Sequence, residues 1–203
     1  MSSYTKEGLL ITFEGLDGSG KSTMVEMLQD ELADEFNFTR EPTNSRYGDA
    51  VYESIADPDA DEMAELFLYV ADHAAHLDNV ISESETNIIS DRYIDSRIAY
   101  QGTTLANRFG GLSNAIEFVK NIHEPWTIYP DLTIYLDVDA ETAYERSGAT
   151  NKFEQISHLT TVRKAYQQII SCDKDRFSII DATRPKDAVY ADILDVIRQV
   201  STN

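Results

Sequence analysis

Sulfur chemistry has almost nothing to work with in this chain. Cys172 is the only cysteine, so no internal disulfide can form, and its neighbours Ser171 and Asp173 offer no partner for a nucleophile or a metal site. Basic residues are scarce too: 17 Lys and Arg stand against 36 Asp and Glu, a formal charge of -19. Such a chain repels DNA, RNA and anionic membranes, which argues against a polynucleotide ligand. No apolar run approaches the length of a membrane span, and the N-terminus lacks the basic and apolar regions of a secretory leader. The expectation is a cytoplasmic protein outside the membrane. No proline-rich, glycine-serine or repetitive segment marks a boundary, so residues 1–203 read as one domain.

The acidic excess has a physical cost, because like charges strain the compact state at low salt. At molar salt the screening length falls to roughly 3 Å and the repulsion largely vanishes. A salt-loving source organism is expected, and blocks such as Asp57-Pro58-Asp59-Ala60-Asp61-Glu62 read as solvated surface.

What the chain does have begins at Leu9-Leu10-Ile11-Thr12-Phe13, an apolar run that leads into Gly15-Leu16-Asp17-Gly18-Ser19-Gly20-Lys21-Ser22-Thr23. A strand entering a glycine turn and then a helical pattern is the context of a phosphate-binding loop. The glycines let backbone N–H groups converge on phosphate oxygens, Lys21 supplies a point charge, and Ser22 supplies a hydroxyl for Mg²⁺. The helix that follows, roughly Lys21 to Glu35, aims its positive end at the same phosphates. The loop implies ATP or GTP.

Further apolar runs rich in β-branched residues fall at Phe36–Thr39, Asn87–Ser90, Leu132–Val138 and Phe177–Ile180, separated by helical patterns at Met63–Val80, Ser113–Ile122, Thr142–Arg146, Ile156–Ile170 and Lys186–Val200. Strands alternating with helices predict a doubly wound α/β domain, a five-stranded parallel sheet with helices on both faces. In such sheets ligands gather beyond the carboxyl ends of the strands. Three charged or glycine-rich clusters fall there: the phosphate loop, Thr39-Arg40-Glu41-Pro42, and the run from Asp91-Arg92-Tyr93 to Tyr100-Gln101-Gly102. Arginine forks at two strand ends suit a second phosphate, and a carboxylate facing Lys21 and Ser22 suits Mg²⁺. Two facing phosphate sites need mainly positioning and charge neutralisation to exchange a phosphoryl group.

The combination of Phe13-Glu14-Gly15-Leu16-Asp17, Arg40-Glu41-Pro42, and Asp91-Arg92-Tyr93 followed by Ser96 and Ala99-Tyr100-Gln101-Gly102 resembles the thymidylate kinase family. Pro130 to Asp137 resembles its fourth strand, Phe153-Glu154 the end of its lid, and Ile180-Asp181-Ala182 its last strand and nucleotide-base loop, so the likeness spans nearly the whole chain. The resemblance implies a P-loop fold, a lid near 144–154, and the reaction of ATP with dTMP to give dTDP and ADP. It implies that Lys21 contacts the transferring phosphates, that Ser22 and Asp91 form the Mg²⁺ region, and that Arg40 and Arg92 bind the acceptor monophosphate. Asp17 would accept the sugar 3′-hydroxyl, Tyr100 would crowd the 2′ position, and Pro42 would wall the base pocket. The family also implies a homodimer, toward which Leu66, Leu68, Ala74 and Leu77 could offer apolar surface or, equally, core.

The chain departs from the family pattern in two places. Where the family has an aromatic stacking on thymine and an arginine four residues later, this sequence has Tyr69 and His73. A neutral imidazole is the weaker donor. Arg97, at a position the family usually fills with a small or amide residue, either supplies the missing donor or pairs with nearby carboxylates. In the phosphate loop, Gly18 occupies the place of a catalytic arginine, so the charge is expected from the lid. There Arg146 is the candidate stabiliser of the transferred group, Lys152 its support and Gly148 a point of freedom. A GTPase is disfavoured because Asn151-Lys152-Phe153-Glu154 is not a guanine-reading signature. A kinase for another nucleoside monophosphate and a regulatory paralogue with little turnover stay open.

Overall fold

The computed structural model describes residues 6–147 and 152–201, with the side chains of 152–154 outside that description. Five strands, β1 (Leu10–Gly15), β2 (Phe36–Arg40), β3 (Asn87–Asp91), β4 (Leu132–Asp137) and β5 (Phe177–Asp181), form one sheet in the order β2-β3-β1-β4-β5. Every pairing is parallel. The order reverses at β1, which has β3 on one side and β4 on the other, so the crevice for a ligand opens beyond Gly15 and Asp91.

Helices cover both faces. Helices α1 (Lys21–Leu32) and α8 (Lys186–Ser201) pack Met24, Leu28, Ile193 and Ile197 against Ile11, Phe13, Ile134 and Leu136 of the sheet. On the other face lie α3 (Glu62–His76), α4 (Ile94–Thr104), α5 (Leu112–His123), α6 (Ala140–Ser147) and α7 (Lys152–Cys172). Alternation along β1 sends Ile11 and Phe13 to the first face, leaving Thr12 and Glu14 on the second, where both are fully buried. Thr12 meets Thr133 Oγ1 at 3.0 Å, and Arg176 reaches across to Thr133 Oγ1 at 2.6 Å and to both Asp95 oxygens at 2.7 and 3.0 Å. These bonds satisfy polar groups that would otherwise destabilise the core, and they pin the start of α4 to the sheet.

Three local findings differ from the sequence pattern. Helix α2 (Arg46–Ala56), capped by Ser45 Oγ accepting from the Tyr47 and Gly48 amides, is absent from the predicted elements although Tyr47, Val51 and Ile55 recur at helical spacing. The pattern over Met63–Val80 is one helix to His76 followed by a π-helical turn, Leu77–Ile81. Of the four residues offered for a dimer contact, Leu66 and Leu77 are fully buried core, while Leu68 and Ala74 are half-buried.

Candidate active site

The phosphate loop runs from the end of β1 to the first turn of α1, with Gly15, Gly18 and Gly20 all at positive φ. Gly18 is required for a further reason: a Cβ there would lie 2.1 Å from the Ala143 carbonyl oxygen of α6, so no side chain, arginine included, fits this position against the helix. Leu16 is buried, Ser19 closes the turn by donating its amide to Leu16 O at 3.0 Å, and Thr23 continues α1. Lys21 Nζ turns into the loop, donating to Gly15 O at 3.0 Å and Leu16 O at 2.8 Å. Burial, followed by the Arg92 charge, pushes its pKa down to about 7.

Beside the loop, Ser22 Oγ donates to Asp91 Oδ2 at 2.6 Å, while Asp91 Oδ1 is buried with no partner. An orphaned carboxylate oxygen next to a hydroxyl fits a hard cation that takes most of its ligands from water and substrate phosphates. Among the described residues no group of three or more His, Cys, Asp or Glu could hold a metal by itself.

A cleft of about 260 Å³ opens from this point, lined among others by Asp17, Arg40, Pro42, Tyr69, Arg92, Arg97 and Tyr100. The structure therefore brings together every sequence-predicted acceptor residue except His73. Arg92 has a left-handed backbone, φ 68°, the only non-glycine so placed among the described residues. Its guanidinium pairs with Asp17, donates to Ser96 Oγ at 3.0 Å, and lies 5.3 Å from the Tyr100 ring centroid. The Tyr100 hydroxyl accepts from the Asp17 amide at 2.8 Å, tying α4 to the phosphate loop. Arg40 donates to the Tyr52 hydroxyl at 2.6 Å.

His73 does not reach the cleft. Four residues along a helix advance about 6 Å, so Tyr69 stands at the cleft wall and His73 lies one turn deeper, fully buried. Both its nitrogens are engaged, Nδ1 with Glu41 Oε1 at 2.7 Å and Nε2 with Thr127 Oγ1 at 2.8 Å. Burial, helped by the Arg97 charge and opposed by the Glu41 carboxylate, brings its pKa down to about 4. Glu41 is the hub: Oε1 also accepts from His76 Nδ1 at 2.7 Å, and Oε2 pairs with Arg97. Arg97 in turn donates to His123 Nε2 at 3.3 Å, whose own Nδ1 donates to Val119 O. Arg97 thus lines the cleft and also pairs with a carboxylate, and its Nε is buried without a partner.

Arg146, in the last turn of α6, donates to the Ala182 carbonyl in the loop after β5 at 2.8 Å. Gly148 and the Lys152 side chain lie outside the described residues. Sequence reasoning assigned no role to Glu41, Tyr52, Ile55, Ser96 or Gln101, all of which line the cleft. For Glu41 the sequence carried no local signal, since its partners His73, His76 and Arg97 come from α3 and α4.

A glycine loop at the switch point of a parallel sheet, a hydroxyl–carboxylate pair beside it and an arginine-bearing cleft opposite define a P-loop phosphotransferase of the nucleotide kinase class. The model of the thymidylate kinase family matches residues 13–193. A probable thymidylate kinase of Halobacterium salinarum is 52% identical over 187 residues, covering 91% of this chain and 92% of the relative. One from Halorubrum lacusprofundi is 50% identical over 195 residues, 95% and 98% of the two chains, and one from Methanosarcina mazei is 41% identical over 208 residues, 96% and 99%. The chain belongs to the thymidylate kinase family. The first two relatives come from salt-loving archaea, in keeping with the charge of -19, and no helix among the described residues is long and apolar enough to cross a membrane.

Proposed function

We propose that this chain transfers the γ-phosphoryl group of ATP to dTMP, giving ADP and dTDP, in the cytoplasm and as a homodimer. The observation that carries the reading is the single cleft in which Arg40, Arg92, Tyr69, Pro42 and Tyr100 face the Ser22–Asp91 pair. A 5′-phosphate oxygen of dTMP forms a bond to the γ-phosphorus as the bond to the bridging oxygen breaks, and that oxygen leaves on ADP. The acceptor is already ionised, so no side chain need abstract a proton. Arg92 and Arg40 hold the acceptor phosphate, Asp17 the 3′-hydroxyl, and Tyr100 fills the space of a 2′-hydroxyl. Phosphate-loop amides and Lys21 hold the donor phosphates, and Ala182 lies beside the donor base. Ser22 and Asp91 would hold Mg²⁺, which supplies charge neutralisation between the two nucleotides. Arg146, once it releases the Ala182 carbonyl, and Lys152 would be the lid cations for the developing charge.

Tyr69 stacks on the base, and Arg97 takes over as its hydrogen-bond donor, because its Nε is free where both His73 nitrogens are engaged. Phosphorus NMR of a mixture with Mg-ATP and dTMP in molar KCl tests the reaction: dTDP should appear in step with ADP. ADP without dTDP would refute the transfer, and neither product would favour the regulatory paralogue. Arg97→Ala should raise KM for dTMP with little change in KM for ATP. An unchanged KM would return Arg97 to a purely structural role.

A further inference from the structure

Glu14 is a carboxylate where the strand pattern calls for an apolar residue. It is fully buried, on the α4 and α7 face of β1, directly before the phosphate loop. Three donors converge on it: the Tyr93 amide on Oε1 at 2.9 Å, the Tyr166 hydroxyl on Oε2 at 2.9 Å, and the Ser96 hydroxyl on Oε2. Ser96 Oγ is also the atom that accepts from Arg92 Nη1. Of the Arg92 guanidinium's partners Asp17 and Ser96, the Asp17 side chain is 56% exposed and can be displaced by substrate, whereas Ser96 is buried. The Arg92 amide donates to Phe13 O at 3.0 Å, so the residue before Glu14 holds the same turn.

We propose that Glu14 is the positioning residue for Arg92: its carboxylate anchors the Tyr93 amide after the left-handed Arg92 turn and orients the Ser96 hydroxyl on which the guanidinium rests. The strand that carries the phosphate loop thereby sets the place of the acceptor phosphate, which registers the two substrates against each other. This rests on the reading of Arg92 as an acceptor-phosphate residue. Only an ionised carboxylate accepts from all three donors at once, since a protonated one must turn a hydrogen toward one of them. The groups facing it are Asp95 and Tyr93 from α4 and its cap, Arg92 from the turn, Tyr166 from α7, Tyr135 from β4 and Lys21 from α1. Burial, then Asp95, raises its pKa to about 7, against Ser96, Arg92 and Tyr166, which lower it.

Glu14→Gln keeps the volume but sets an amide donor among donors. With the variant folded to within about 3 °C of wild type, KM for dTMP should rise about tenfold and KM for ATP change less than about twofold. Glu14→Gln should add no further factor in an Arg92→Ala background. Between pH 6 and 8 the wild-type KM should fall more than that of Glu14→Gln, the difference cancelling the titration of Lys21 and of the substrate phosphate. An unchanged KM in Glu14→Gln beside a raised one in Arg92→Ala would overturn the inference alone. An unchanged KM in Arg92→Ala would overturn the reading beneath it as well. Should Glu14→Gln fail to fold, Tyr166→Phe removes one donor and should move the midpoint of the KM profile to higher pH, and a midpoint that stays or moves down would overturn the inference.

Discussion

Removing Glu41 should cost this protein much of its stability, and the size of the loss follows from what the carboxylate holds. Glu41 is 4% exposed, accepts from two imidazole Nδ1 atoms at 2.7 Å each, and pairs with an Arg97 side chain that is itself 2% exposed. In Glu41→Ala the Arg97 charge loses its only carboxylate partner among the described residues; the imidazole it also touches, His123, is kept neutral by burial, with a pKa lowered to about 3. Breaking a buried pair from one side costs about 3–5 kcal/mol. Each imidazole N–H left without its acceptor adds about 1–3 kcal/mol in a dry site, but Glu41 borders the cleft, so water entering the vacated space offsets much of that. The expected loss is about 4–6 kcal/mol, or about 10–20 °C in Tm for a chain of this length. Glu41→Gln, which keeps one acceptor oxygen, should lose roughly half. Calorimetry in molar KCl at pH 7.5 reads both. A fall of less than about 5 °C in Glu41→Ala would refute the view that this carboxylate balances the site.

Acid should unfold the protein partly through His73, whose folded pKa of about 4 lies below its ordinary 6.5. The unfolded chain then binds the extra proton, so this contribution is complete above pH 6.5 and is lost as pH falls toward 4, by up to about 1.4 kcal/mol per unit. Glu14, raised to about 7, acts in the opposite sense, so the readout is the shallower slope of His73→Gln in urea melts against pH, and equal slopes would refute it. Lys21, lowered to about 7, is largely neutral at pH 8 and regains its charge against ATP phosphates. Titration calorimetry in buffers of differing ionisation enthalpy should therefore show proton uptake on ATP binding, and no buffer dependence would refute it. Stability should rise from dilute buffer to molar KCl, since the 36 acidic residues repel one another when unscreened, and a flat or falling Tm would contradict the salt-adapted reading.

The frame of the molecule was legible because its signals are local. A glycine loop behind a strand needs no tertiary information, and β1, β3, β4 and β5 are bounded by turn residues. What escaped depends on contacts distant in sequence. Glu41 reads as part of a motif, but its role needs His73, His76 and Arg97 brought from two helices. His73 shares a helix face with Tyr69, yet only the depth of α3 against Thr127 decides that one is wall and the other core. Helix α2, whose Tyr52 and Ile55 border the cleft, is the exception: it has apolar residues at helical spacing and a serine cap, so its signal was present locally and was passed over. Glu14 and Thr12 break the apolar run of β1, and their partners Tyr166 and Thr133 lie 152 and 121 residues away.

The most direct test of the central claim is kcat/KM for ADP release in molar KCl with dTMP, dUMP, dCMP and dGMP offered separately. A preference for dTMP over each of the others by about tenfold or more is the predicted result. Equal or greater activity with another base would show that the Tyr69–Arg97 pocket reads something other than thymine.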